Sequence, residues 1–163
     1  KVKILTILLT QKNKKPTIMT NSINKPTAAF WIIGVLALIW NAMGIDAYVQ
    51  QAYNTERYIA MYTPEQLEIA NNVPSWVTAM FAIAVFGSAF ASVLLLLRKK
   101  LAATVFVISF IAVLVQMSYI FIFGGMGVEY YGEGGMIMPI IIIVFGVFLL
   151  WYSRNAVKKG LIS

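Results

Sequence analysis

Four long apolar runs restrict what this chain can fold into. They extend from Ala28 to about Tyr53, Trp76 to Leu97, Leu101 to Phe123, and Met136 to Tyr152. A helix rises ~1.5 Å per residue and needs ~20 residues to cross ~30 Å of hydrocarbon, so the runs match membrane spans. Apolar residues make up 60% of the chain and charged residues 12%, against roughly 45–50% and 25% in soluble domains. Because a soluble chain of this size could not cover that surface, the sequence predicts an integral membrane protein.

The runs predict an all-α fold, a four-transmembrane-helix bundle. An isoleucine-rich stretch in the fourth run favours a strand in water, but an isolated strand in lipid leaves its backbone unpaired, so we expect a helix there too. The predicted helices lie at about 28–53, 76–97, 101–123 and 135–153, within a membrane domain 28–160 that follows a basic segment 1–27 and precedes a tail 161–163.

The N-terminal segment has a separate interpretation. An apolar patch between lysines in residues 1–18 is too short to span a membrane or to form the core of a signal peptide. Met19 begins a stretch that leads into the first run. We therefore expect Met19 to be the biological start and residues 1–18 to carry no function.

The basic residues predict the orientation of the bundle. Every Lys and Arg except Arg57 falls on one side of a four-pass topology, and all six acidic residues fall on the other side. Loops rich in Lys and Arg remain cytoplasmic, so both termini are predicted to be cytoplasmic. The net charge of +7 is explained by these positions and not by a basic face, so no nucleic-acid partner is expected.

The chain lacks the residue types that most catalytic and metal sites need. It has no Cys and no His, which excludes thiolate nucleophiles, Ser–His and Cys–His pairs, and Cys/His metal sites. The one Asp is Asp46, so two Asp side chains cannot pair. We expect no enzymatic activity and no cofactor or metal.

Three polar residues lie in the middle layer of the predicted bundle: Asn41, Ser88 and Ser109. Each falls on a stripe along one helix face, and the stripe of Ser88, with Ala84, Ala91 and Ser92, consists of small residues, which let membrane helices approach closely. The favoured interpretation is that these side chains form hydrogen bonds between helices. The alternative is that Asn41 contributes to a binding site.

Asp46 and Gln116 lie at matching depth in the outer third of the bundle. A carboxylate there needs a partner or water. One interpretation is a water-filled pocket, open outward, in which Asp46 is a proton or cation site. The other is a helix-end carboxylate in the headgroup region. Trp40 and Tyr119 surround this layer and, with the carboxylate and amides, could recognise a sugar or simply pack. The candidate ligand-binding residues are therefore Asp46, Gln116, Asn41, Tyr119 and Trp40.

Two segments between the runs carry local signals. Thr63-Pro64-Glu65-Gln66 combines an N-cap, a Pro at the first helical position and a capping-box Gln, which predicts a short helix to about Asn71. The glycine-rich segment 124–135 lacks the Lys-Ser/Thr of a phosphate-binding loop and is expected to be a flexible turn.

Several sequence motifs lie along the chain from Phe30 onward: Phe30-Trp31-Ile32-Ile33, Trp40-Asn41 with Gly44, Pro74 to Ala79, Phe81 to Gly87, Leu94 to Lys100, and Gly134 to Pro139. In these motifs the chain resembles a group of small bacterial four-helix membrane proteins that automated naming calls sugar transporters. The resemblance implies an inner-membrane location and transport of a small solute, and it implies no particular binding residues.

Two functions follow as hypotheses. The first is a small-solute permease, for which four helices are few, so a homo-oligomer would be needed to enclose a path. The second is a non-transporting accessory or structural subunit, which would show packing stripes without a lined cavity. No internal repeat supports an inverted-repeat carrier.

Overall fold

The computed structural model describes residues 25–123, 127–131 and 135–163, and within them the chain forms helices and no strand. The expectations for residues 1–24, including the start at Met19, lie outside the described residues. The helices are α1 (Ala28–Ala52), α2 (Glu56–Ile59), α3 (Pro64–Asn71), α4 (Ser75–Leu96), α5 (Leu101–Ser118), α6 (Gly127–Tyr131) and α7 (Ile137–Lys158). A π-helical turn (Tyr119–Phe123) continues α5.

Four of these helices are long and apolar enough to cross a membrane: α1, α4, α5 with its π-helical turn, and α7. This confirms the all-α class and the four expected spans. The last helix extends over Ile137–Lys158, five residues beyond the end of the expected range of about 135–153. The end of an apolar run marks where lipid ends, whereas this helix ends at a backbone reversal. Gly160, with φ of 64°, allows the Leu161 amide to donate to the Ala156 carbonyl at 2.9 Å, a Schellman cap.

The spanning helices pack in the order α1, α4, α5, α7, with neighbours antiparallel. Glycines lie at the close approaches of all three pairs, with Gly87 of α4 against Ser109 of α5. A Cβ at Gly34 of α1 would lie 2.6 Å from Cδ2 of Leu96 on α4, and a Cβ at Gly146 of α7 would lie 2.7 Å from Cδ2 of Phe110 on α5. The α4–α5 contact is the most extensive of the three.

The backbones of α1 and α7 do not pack against each other in this way. Aromatic side chains cross the space between them instead. The rings of Trp40 and Phe145 have centroids 4.9 Å apart, and those of Phe30 and Tyr152 lie 6.4 Å apart. Backbone packing therefore closes the bundle on three sides, and the fourth side is closed only where these aromatic rings meet, from Phe30 to Trp40 along α1.

The hydrophobic core lies at the end of the bundle where α1 begins and α7 ends, which we call the base. Phe30, Leu95 and Ile162 are completely or almost completely buried there. Ile162 corrects the expectation that residues 161–163 form a tail. The Schellman turn directs these residues back over the α4–α5 connection, where the Ser163 amide donates to the Arg98 carbonyl at 2.8 Å.

The opposite end of the bundle carries the short helices α2, α3 and α6, which we call the cap. The predicted capping box of α3 is confirmed. The backbone amide of Gln66 donates to the Thr63 hydroxyl oxygen at 3.3 Å, and the backbone amide of Thr63 donates to Oε1 of the Gln66 side chain at 3.0 Å. Part of the glycine-rich segment expected to be a turn instead forms α6, which contacts α3.

Candidate ligand cavity

A cavity of about 310 Å³ lies between the four spanning helices, on the cap side of the core. This volume is at the small end of the ~300–1,000 Å³ range of ligand-binding pockets. None of the described residues that line it is charged, and most are apolar. The lining residues are Trp40, Asn41, Met43, Gly44, Ala47, Phe81, Ala84, Val85, Ser88, Phe106, Ser109, Phe110, Val113, Gln116, Met117, Met138, Ile142, Phe145, Gly146 and Leu149.

Asn41 lies at the junction of α1 and α4 and lines the cavity. Its Nδ2 donates to the Ser92 hydroxyl oxygen at 2.9 Å and to the Ser88 carbonyl at 3.4 Å. The interhelical hydrogen bond expected of Asn41 is therefore present. Among the described residues nothing donates to its Oδ1, so this acceptor is left for a ligand.

The two serines of the cavity wall differ from expectation. The Ser88 hydroxyl donates to the Val85 carbonyl at 3.2 Å, and the Ser109 hydroxyl donates to the Val105 carbonyl at 2.9 Å. Both bonds stay within one helix, so the expectation that these hydroxyls join helices is wrong. Mid-helix serines commonly bond the preceding turn, which satisfies the hydroxyl without a partner helix.

Gln116 is the polar group of the cavity that lacks a partner. Its side chain is 8% exposed, yet within the described part of the chain its amide makes no hydrogen bond. No described side-chain nitrogen or oxygen is both fully inaccessible and unpaired, so the Gln116 amide atoms keep access to open space. Gln116 lines the cavity, and we infer that this is the space its amide faces. An unpaired buried amide costs ~1–3 kcal/mol, which a ligand can recover by hydrogen bonding.

The structure does not bring Asp46 into the cavity. Its carboxylate lies 3.6 Å from the Arg57 guanidinium of α2, and Nε2 of Gln50 donates to it at 3.4 Å. The Asp46 side chain is 57% exposed. Asp46 follows Asn41 by five residues, which rotates its side chain ~140° around the helix axis, and Asp46 is not among the residues that line the cavity. Matching depth with Gln116 was not sufficient to place them together.

Of the two aromatic candidates, Trp40 and Tyr119, one lines the cavity and the other does not. Trp40 lines the cavity. Tyr119 is not among the lining residues, and its ring packs edge-on against Trp76 with centroids 5.2 Å apart. Tyr119 is the first residue of the π-helical turn that follows α5.

Sequence reasoning missed the wall that α7 contributes. Met138, Ile142 and Phe145 line the cavity, although their run is uniformly apolar and has no polar stripe to mark an inner face. Gly146, against Phe110, is the one sequence feature that could have indicated which side of α7 faces α5.

A half-buried tyrosine of the cap contacts the cavity wall. The Tyr131 hydroxyl donates to Sδ of the cavity-lining Met117 at 4.0 Å, and its ring stacks on Phe121 at 5.7 Å. Burial raises the pKa of Tyr131 to about 12, and repulsion from the nearby Tyr62 and Tyr58 adds to the rise. The phenol is therefore neutral at physiological pH, as is every described group of the cavity wall.

Comparison of the chain with protein-family models, with curated proteins and with solved structures finds no match. The functional argument therefore depends on the chemistry of the cavity.

Proposed function

We propose that this protein is a small-solute transporter and that the central cavity binds the transported molecule. The observation that carries the proposal is the Gln116 amide, which is buried, unpaired and open to a space lined by all four spanning helices. A solute in that space would also meet Oδ1 of Asn41 and the ring of Trp40. The resemblance noted above implies a sugar as the substrate class.

The cavity favours a transporter over an accessory subunit. An accessory subunit needs packing stripes only, whereas here the stripes on α4 and α5 enclose an open volume. The cavity of one chain is lined by that chain's own helices, so a homo-oligomer is not required to form the binding site.

The solute of this transporter is uncharged. A charged solute in a low-dielectric site needs an opposite charge, and no described lining residue supplies one. Asp46, the earlier candidate for proton or cation coupling, is paired with Arg57 outside the cavity. We infer that transport is passive and independent of Asp46.

The distribution of charge supports a bacterial inner-membrane location with both termini cytoplasmic. In this orientation the base, with Arg98 to Lys100 and the basic end of α7, contacts the cytoplasm. The cap, with Arg57 as its one basic residue among those described, lies outside.

Uptake into proteoliposomes tests the proposal. Purified protein should accelerate entry of at least one solute over empty liposomes, from a panel of uncharged molecules that includes sugars, polyols and small aromatic alcohols. Gln116→Leu should slow that uptake, because it removes the unpaired amide while keeping the volume of the side chain. Gln51→Leu, at the cap end of α1 and outside the cavity, is the matched control. Equal traces with and without protein for the whole panel would refute the transporter and favour the accessory subunit.

A further inference from the structure

We infer that the cavity takes an uncharged, membrane-dissolved molecule with an apolar body and one or two hydrogen-bonding groups, and that this molecule enters from the lipid between α1 and α7. The inference rests on the proposed function, because both require the cavity to hold the transported molecule. It replaces the sugar implied by resemblance with a different substrate class and adds a route.

The first argument is the hydrogen-bonding capacity of the wall. The Ser88 and Ser109 hydroxyls already donate to carbonyls of their own helices, and Nδ2 of Asn41 donates to Ser92. Among the described lining residues, the side-chain groups without partners are the Gln116 amide, Oδ1 of Asn41 and the indole N–H of Trp40. A sugar would leave several hydroxyls unpaired in an apolar space, each at a cost of ~1–3 kcal/mol. A molecule with one or two polar groups can form its hydrogen bonds with the unpaired groups of the wall.

The second argument is the position of the opening. Three lining residues are exposed on the outside of the bundle: Met43 at 60%, Met138 at 54%, and Ala47. All three lie on α1 or α7, and the lining residues of α4 and α5 are buried or half-buried. We call Met43, Ala47 and Met138 the side opening.

The side opening lies between α1 and α7, the two neighbouring helices whose backbones are not in close contact. The contacts of Gly34 with Leu96 and of Gly146 with Phe110 close neighbouring helix pairs, whereas α1 and α7 lack such a contact. On the base side the opening is bounded by the rings of Trp40 and Phe145, 4.9 Å apart. Met43 is ~22 Å along α1, which places the opening within the spanning part of the helix. What reaches it is therefore dissolved in lipid.

Other occupants fit less well. A phospholipid headgroup carries a phosphate, and no described lining residue has a positive charge to bind it. A helix of a second copy is ~10 Å wide, too wide for a volume of about 310 Å³. An engineered cavity of ~150 Å³ holds benzene, so about 310 Å³ accommodates a fused two-ring molecule.

Fluorescence of Trp40 tests ligand class in nanodiscs that contain one copy of the protein. Replacing Trp31, Trp76 and Trp151 with Phe leaves Trp40 as the reporter. 1-Naphthol, uncharged with one hydroxyl, should accept energy from Trp40 with saturation, and Gln116→Leu should weaken its affinity roughly three- to tenfold. Glucose and 1-naphthyl phosphate should not compete. Non-saturating transfer that is equal in Gln116→Leu would show mere partition into lipid and overturn the inference.

Exchange kinetics of 1-naphthol test the route. Ala47→Phe narrows the side opening and should slow exchange at least tenfold. Ala42→Phe, on the exposed surface of α1 but outside the lining, is the matched control and should leave the rate unchanged. If Ala47→Phe has no effect and Tyr131→Ala accelerates exchange, the route is through the cap and the inference is wrong.

Brominated phospholipid identifies a competing occupant. If its bromines quench Trp40 and 1-naphthol does not relieve the quenching, acyl chains fill the cavity and the inference is overturned. Failure of the proposed function has a different signature. Saturable 1-naphthol binding through the side opening without any solute uptake would refute transport alone. Sugar uptake that is insensitive to Ala47→Phe would refute the lipid route alone.

Discussion

The backbone amide of Ser163 donates a 2.8 Å hydrogen bond to the carbonyl of Arg98, and the amide of Lys100 donates to the Ser163 carbonyl at 3.2 Å. Nε of Arg98 adds a 2.8 Å bond to the Leu161 carbonyl. These bonds connect the end of the chain to the α4–α5 connection and place Ile162 in the core. Arg98 has φ of 59°, a conformation that costs an L-residue ~1–2 kcal/mol, and these bonds offset that cost.

Ile162 is therefore expected to be a stability determinant. Ile162→Ala should lower the free energy of unfolding by ~2–4 kcal/mol, because it leaves a cavity in a fully packed cluster. Ser163→Ala, whose side chain is exposed, should change stability little. Thermal unfolding in detergent measures both. Equal stability of Ile162→Ala and the wild type would mean that residues 161–163 are the free tail expected from the sequence.

Asn41 is expected to stabilise the α1–α4 pair. Asn41→Leu removes the 2.9 Å bond to Ser92 and should reduce stability by ~0.6–2 kcal/mol, the size of an interhelical hydrogen bond. A double-mutant cycle with Ser92→Ala isolates the pair, and the coupling free energy should account for most of that loss. A coupling free energy near zero would show that the hydrogen bond between Asn41 and Ser92 does not stabilise the α1–α4 pair.

Asp46 is expected to be dispensable. Asp46→Asn breaks an exposed ion pair with Arg57, which is worth at most ~1 kcal/mol. Stability and solute uptake should both be close to wild type, at any proton gradient. Uptake that requires a proton gradient and is lost in Asp46→Asn would restore Asp46 as a coupling residue and refute passive transport.

Ionisation of Tyr131 should lower the free energy of unfolding at high pH. Its pKa is raised from 10.0 to about 12 in the fold, so the unfolded chain loses this proton first as pH rises. The stabilisation is complete below pH ~10 and is lost between pH ~10 and ~12, a change of about 2–3 kcal/mol. Tyr131→Phe should lack this component of the pH dependence. Tyrosinate absorbance should show one fewer late-titrating phenol in the variant; identical titrations would contradict the burial of Tyr131.

Membrane orientation can be tested with single cysteines, since the chain has none. Ser163→Cys at the base should react only with reagents that enter the cytoplasm, and Met61→Cys in the cap should react from outside. Both side chains are exposed. Labelling of Ser163→Cys by an impermeant reagent in intact cells would reverse the orientation inferred from the basic residues.

The number, type and approximate limits of the spanning helices could be predicted from the sequence because they depend on local quantities. Hydropathy and the rise per residue identified all four spans. The capping box of α3 was equally local, since Thr63 and Gln66 satisfy each other's backbone amides within one turn. The end of α7 was missed because it depends on the backbone conformation of Gly160, not on the end of the apolar run.

The membership of the cavity was decided by tertiary structure. Depth along a helix follows from residue number, but the face that a side chain presents has meaning only when the neighbouring helix is known. Asn41, Gln116 and Trp40 reach one space because α1 packs on α4 and α5 lies beside it. Asp46, on the same helix as Asn41 and Trp40, points toward Arg57 and not into the cavity. The wall from α7 has no sequence signature at all, because in lipid both faces of a helix are apolar and only packing selects the inner one.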